Sequence, residues 1–236
     1  MTFLQRLAQK APKLEKIESL KFATSALLHI HNMATERILI SEVGPRDGLQ
    51  SVKQTMPTAH KLRWIDALVA SGLQEIEVAS FVPAHLLPQM ADAAQVVQHA
   101  LQYKHLTVMA LVPNRKGAEA ALKAGAQKLT IPVSASEAHS MANVRKSREA
   151  MVDEVRAIVQ IRNELAPHVP VEAGISTAFG CTLQGHVAED DVVKLAAAVI
   201  EAGADESGLS DTTGMANPAQ VRRIFKRVFS EIGDKT

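Results

Sequence analysis

Aromatic side chains are scarce in this chain, only 3% of its 236 residues, with one Trp and one Tyr. A core without them must be filled by Ala, Val, Leu and Ile, as in parallel sheets covered on both faces. Cysteine is nearly absent as well. The single Cys181 excludes an intrachain disulfide and suits a reducing compartment, so the cytoplasm is the expected location. No apolar run approaches the roughly 20 residues that span a bilayer, so no membrane association is expected. Neither sign of charge dominates: 26 Lys and Arg face 25 Asp and Glu, a formal +1, which gives no electrostatic footprint for nucleic acid. A G-x-G-x-x-G and a Walker A sequence are both missing, which argues against a dinucleotide or nucleoside-triphosphate fold.

What is present is a hydrophobic content of 47%, enough for a large core, in a chain whose length fits one α/β barrel of about 250 residues. Residues 1–36 differ from the rest. Lys10, Lys13, Lys16 and Lys21 alternate loosely with Leu4, Leu7, Leu14, Ile17 and Leu20. A mitochondrial presequence is Arg-rich and poor in acids, whereas here Lys dominates and Glu15 and Glu18 intrude. This stretch reads as an extension outside the core, with Met33 as an alternative beginning and 37–236 as the domain.

From there the chain alternates short apolar runs with longer amphipathic ones. Strands are expected at 38–43, 75–80, 106–112, 128–133, 171–176 and 205–209. Helices are expected at 58–71, 85–101, 115–124, 144–165, 188–202 and 218–230. One joint recurs three times, with Gly72, Gly125 and Gly203 each placed where a helix must turn left-handed before the next strand. Repeated helix–Gly–strand units imply parallel strands with right-handed crossovers. Both an open doubly wound sheet and a barrel satisfy that pattern. The barrel is favoured because polar residues follow nearly every strand rather than one switch point. The expected fold is therefore α/β, of (β/α)8 TIM-barrel type, with about six βα units and incomplete at its C-terminal side.

The densest chemical signal follows the first strand, taken as buried. Glu42-Val43-Gly44-Pro45-Arg46-Asp47-Gly48-Leu49-Gln50 sets a cation beside a carboxylate in a Gly-containing turn. A fixed guanidinium next to a hard oxygen ligand suits a developing oxyanion and a divalent metal together. This segment resembles the opening motif of the hydroxymethylglutaryl-CoA lyases, which are metal-dependent TIM-barrel lyases. Ile76-Glu77-Val78-Ala79-Ser80-Phe81-Val82 followed by Pro88-Gln89-Met90 resembles that family's second-strand segment. Pro113-Asn114-Arg115-Lys116-Gly117, Ser134-Ala135-Ser136-Glu137, Phe179-Gly180-Cys181 and Ser210-Asp211-Thr212-Thr213-Gly214 follow in the family's order.

The resemblance implies cleavage of 3-hydroxy-3-methylglutaryl-CoA, or of a related 3-hydroxy-3-alkylglutaryl-CoA, with Mg2+ or Mn2+ as cofactor and an acyl-CoA as partner. It implies Asp47 as a metal ligand, Arg46 as the group that stabilises the enolate oxygen, and Glu77 and Gln50 beside them. Ser80, Asn114, Thr177 and Asp211 would line the substrate cavity. Each has a structural alternative: Glu77 as an interior partner of Arg46, Asn114 as a helix cap, Asp211 as a turn residue. Cys181 reads as a packing or loop residue, since the family's catalytic cysteine lies after the eighth strand.

The family's His-x-His metal pair and Gly-rich cysteine loop are expected beyond position 236, so activity of this chain alone is in question and a non-catalytic remnant is the competing reading. His29-Ile30-His31 imitates the histidine pair, but too few residues separate it from the first strand for a permuted barrel. His139, beyond the fourth strand, lies near the expected mouth. Two open strand edges would invite pairing with another chain, which puts a homo-oligomer among the expectations.

Overall fold

The computed structural model describes residues 38–236. The extension 1–36 and the His29–His31 pair lie outside the described residues. Residues Ile40–Thr236 form one compact unit.

Six parallel strands form one sheet in the order of the sequence: β1 (Ser41–Glu42), β2 (Glu75–Ser80), β3 (Thr107–Leu111), β4 (Lys128–Ser134), β5 (Val171–Ser176) and β6 (Glu206–Leu209). Helices α1 (Thr58–Ala70), α2 (Ala93–Ala100), α3 (Arg115–Ala124), α4 (Glu137–Val144), α5 (Arg148–Leu165), α6 (Glu189–Glu201) and α7 (Pro218–Ile232) fill the crossovers and follow the last strand. The result is a half-barrel. The three repeated joints behave as their sequence requires: Gly72, Gly125 and Gly203 have φ of +96°, +93° and +102°, a region that costs a side chain dearly.

Alternation along the strands divides the sheet into two chemically different faces. Ile76, Val78, Val108, Leu129, Ile131, Val133, Val171 and Ile175 are buried in the two apolar clusters that join sheet and helices. Each such side chain contributes about 2 kcal/mol by its removal from water. The opposite, concave face is polar. Thr130 bonds Glu77 across it, Lys128 bonds Glu206 at 2.8 Å, and Ser134 bonds Ser176 at 2.9 Å. Strand β5 shows the division directly, with Val171, Ala173 and Ile175 buried and Glu172, Gly174 and Ser176 half-buried between them.

Four expectations change. The first strand is only Ser41–Glu42, not 38–43, and it is not buried: Ile38, Leu39 and Ile40 are 86%, 56% and 68% exposed. Among the described residues β1 pairs with β2 alone. The expected turn after it is a single π-helical turn, Gly44–Gly48. The helix expected from 85 starts at Ala93, because Pro88 opens a separate 3-10 turn, Pro88–Met90. The helix expected at 144–165 begins at Arg148, and a separate helix that was not expected, α4, precedes it. Ser136 caps α4 and Ser147 caps α5 through their hydroxyls, and Arg145, with φ of +57°, ends the first.

Candidate active site

Arg46 lies inside the π-helical turn, where Asp47 N–H bonds the Val43 carbonyl at 2.7 Å and the buried Pro45 anchors the turn. Its guanidinium reaches the concave face. There Nε and Nη2 meet Glu77 Oε2, while Nη1 donates to Asp47 Oδ1 at 2.7 Å. Gln50 Nε2 donates to the same Asp47 oxygen at 2.9 Å. Glu77 stands in the middle of β2 rather than at its end and is 1% exposed. Its second oxygen accepts the Thr130 hydroxyl of β4. Burial pushes the Glu77 carboxyl upward, against the pull of Arg46 and Thr130, and the like charge of Glu172 adds to the rise. Four sequence-derived residues, Arg46, Asp47, Gln50 and Glu77, are thus one connected network.

The other four are placed elsewhere. Asn114 caps α3, its Oδ1 accepting the Gly117 N–H at 2.9 Å. The Thr177 hydroxyl donates to the Ser176 carbonyl at 2.6 Å and accepts the Ser136 N–H at 3.1 Å, in a residue held at φ of +55°. Asp211 ties its own loop, accepting Met215 N–H at 3.0 Å and Ala216 N–H at 3.2 Å. Ser80 is fully buried at the end of β2, its hydroxyl without a hydrogen-bond partner among the described residues. Nothing bonds these four to Arg46 among the described residues. Cys181 is a packing residue, fully buried and bridged backbone to backbone with Gly185.

Two concave-face groups, Thr130 and Lys128, escaped the motif reading, and a third, Ser134, stood in a motif but was given no role. Thr130 completes the Glu77 carboxylate. Lys128 sits between Glu172 at 2.9 Å and Glu206 at 2.8 Å. At the other end of β4, Ser134 Oγ lies 2.7 Å from His139 Nδ1 and 2.9 Å from Ser176 Oγ. The signal was available in the even spacing of Lys128, Thr130 and Ser134 on one strand and of Glu172 and Ser176 on the next.

A divalent metal finds only part of a site here. Asp47 is 55% exposed and its Oδ2 has no hydrogen-bond partner among the described residues, which suits one hard oxygen ligand. No trio of His, Cys, Asp or Glu among the described residues is grouped to hold a metal ion. One carboxylate is not a complete donor set.

The chain is 36% identical over 196 residues to the hydroxymethylglutaryl-CoA lyase of Bacillus subtilis, a match that covers 83% of this chain and 64% of that protein. It is 38% identical over 198 residues to the 3-hydroxy-3-isohexenylglutaryl-CoA/hydroxymethylglutaryl-CoA lyase of Pseudomonas aeruginosa, covering 84% and 65%. The crystal structure of hydroxymethylglutaryl-CoA lyase from Pseudomonas aeruginosa superposes with a TM-score of 0.79. That of an HMG-CoA lyase from Acinetobacter baumannii in complex with coenzyme A and 3-methylmalate superposes with a TM-score of 0.77 at 35% identity, covering 82% of this chain and 62% of that one. The chain therefore spans less than two thirds of the length of these relatives. Residues 37–236, the span that carries the half-barrel and the Arg46–Glu77 network, match the HMGL-like family, and the chain belongs to it.

Proposed function

We propose that this chain carries the arginine–carboxylate part of an acyl-CoA lyase site that cleaves 3-hydroxy-3-methylglutaryl-CoA to acetyl-CoA and acetoacetate. The single observation that supports the reading is Arg46, held between Glu77 and Asp47 with its side chain only 14% exposed. In this cleavage the C3 hydroxyl gives its proton to a base and becomes the acetoacetate ketone as the bond from C3 to the thioester's α-carbon breaks. The electron pair moves onto the thioester oxygen, and the enolate then takes a proton at its α-carbon to give acetyl-CoA. The N–H groups of Arg46 not engaged by the two carboxylates would hold that enolate oxygen. A cation fixed in advance stabilises the transition state without reorganising. Glu77 would keep the guanidinium in place and Gln50 would orient Asp47. Asp47 would offer one ligand to Mg2+ or Mn2+, whose chemistry when bound is to acidify the C3 hydroxyl. Ser80, Asn114, Thr177 and Asp211 are kept as candidates for the cavity wall. The Acinetobacter baumannii complex supports coenzyme A as the carrier. The lone cysteine and the cytoplasmic form named among the rat relatives support the cytoplasm as the compartment.

A second reading is cleavage of a bulkier 3-hydroxy-3-alkylglutaryl-CoA. It is favoured by the Pseudomonas aeruginosa relative, whose name includes the isohexenyl substrate. The test is acetoacetate release from hydroxymethylglutaryl-CoA with Mg2+, by this chain and by this chain fused to the part of the Bacillus subtilis relative that it does not span. Release that depends on Arg46 supports the reading. Release that Arg46→Gln leaves unchanged overturns it, and no release from either protein favours a non-catalytic member of the family. Higher kcat/KM on the isohexenyl analogue would favour the second reading.

A further inference from the structure

We infer that Thr130 is a positioning residue for Arg46, acting through the carboxylate of Glu77, an inference that rests on the role proposed for Arg46. Glu77 is on β2 and Thr130 on β4, with β3 between them. Two strand spacings are about 9.5 Å, and the long glutamate side chain crosses β3 on the concave face to reach the hydroxyl. The two Glu77 oxygens are divided: Oε2 belongs to Arg46 and Oε1 to Thr130. An ionised carboxylate only accepts, so Thr130 is the donor.

The two ends of this chain of contacts differ in rigidity. Thr130 lies within β4, in register with Leu111 on one side and Glu172 on the other, and its carbonyl accepts the Val112 N–H at 2.8 Å. A β-branched residue in a strand has few χ1 choices. Arg46, by contrast, sits in a five-residue turn outside the ladder of paired strands. The terminal torsion of a glutamate is broad and nearly two-fold, so one bonded oxygen would leave the carboxylate plane free to turn and the guanidinium free to follow. With both oxygens bonded, the direction of Arg46 is set from β4. Sites referred to strands hold their geometry better than sites on loops alone.

The experiment compares Thr130→Val, which keeps shape and removes the donor, with Thr130→Ser, which keeps the donor. The readout is solvent exchange of the Arg46 Nε proton by NMR, a signal that needs no turnover. Thr130→Val should speed exchange about tenfold, the scale of one lost hydrogen bond to a charged group, while Thr130→Ser should match the parent. Unchanged exchange in a folded Thr130→Val protein overturns the inference, and so does a Thr130→Ser protein that exchanges as fast as Thr130→Val. Should Thr130→Val not fold, the unsubstituted protein decides: a slowly exchanging Thr130 hydroxyl proton with a contact to Arg46 or Glu77 supports the inference, and its absence overturns it. Failure of the proposed lyase reaction would leave all these signals in place, so the two ideas fail separately.

Discussion

Arg46 and Glu77 stand 31 positions apart in the chain and share one ion pair on the concave face, its carboxylate sealed from solvent. Removing either partner strands the other, which is why substitutions here should affect both stability and chemistry.

Arg46→Gln should lower kcat at least about 100-fold in any form of the protein that turns over, with a smaller rise in KM, because its contact strengthens as the enolate forms. Urea unfolding should show a loss of roughly 3 kcal/mol, the scale for breaking a buried pair. Steady-state acetoacetate release checks the first, and near-normal kcat would remove Arg46 from the mechanism.

Asp47→Ala should behave differently, because this carboxylate is half in solvent. Its stability should stay within about 0.5 kcal/mol of the parent. The Mg2+ concentration needed for half-maximal turnover should rise. An unchanged Mg2+ titration would argue against ligation.

Lys128 is held by Glu172 and Glu206, and these partners raise its pKa against the opposing effect of burial. A raised folded pKa means the stabilisation is fully present below the ordinary lysine value of 10.5 and fades as pH climbs through the folded value. Lys128→Met should therefore cost about 2 kcal/mol at pH 7, with the difference from the parent shrinking only in strong alkali. Equal denaturant midpoints at pH 7 would refute this.

His139 is driven below its ordinary pKa of 6.5 by burial. The unfolded chain then takes up the proton first as pH falls, so the protein loses stability below pH 6.5. The groups facing the ring include Ser134, and through it Ser176. His139→Gln should flatten the pH dependence of the melting temperature in that acid range. A parent and variant with parallel profiles would show that His139 contributes nothing.

The repeated joints offer a graded test of backbone strain. At Gly72 a Cβ would meet open space, so Gly72→Ala should cost only the left-handed conformation, about 1 kcal/mol. At Gly203 a Cβ would lie 2.9 Å from Val159 Cγ1, so Gly203→Ala should cost more than Gly72→Ala. Thermal melts that rank the two the other way would contradict the packing around α5.

The parallel half-barrel was legible because its signals are local. Apolar runs of strand length, amphipathic runs of helix length and a glycine at each joint place β2, β4 and β5 within a residue of their observed bounds. Local signals also misled. Ile38, Leu39 and Ile40 have the composition of a buried strand, but burial needs a neighbour, and among the described residues β1 has one only on its β2 side. The missed helix α4 is short and depends on the Ser136 cap more than on any apolar period.

By itself the sequence determined that Arg46, Asp47 and Gln50 stand together, because they lie within one short motif and no distant contact is needed to bring them near each other. Only the tertiary structure decided that Thr130 is the second partner of Glu77. Glu77 and Thr130 belong to different strands, and they meet because parallel register and side-chain alternation aim both onto the same face of the sheet. A contact across 53 positions leaves no trace in local pattern, since nothing in either segment specifies what the other will face until the sheet has formed.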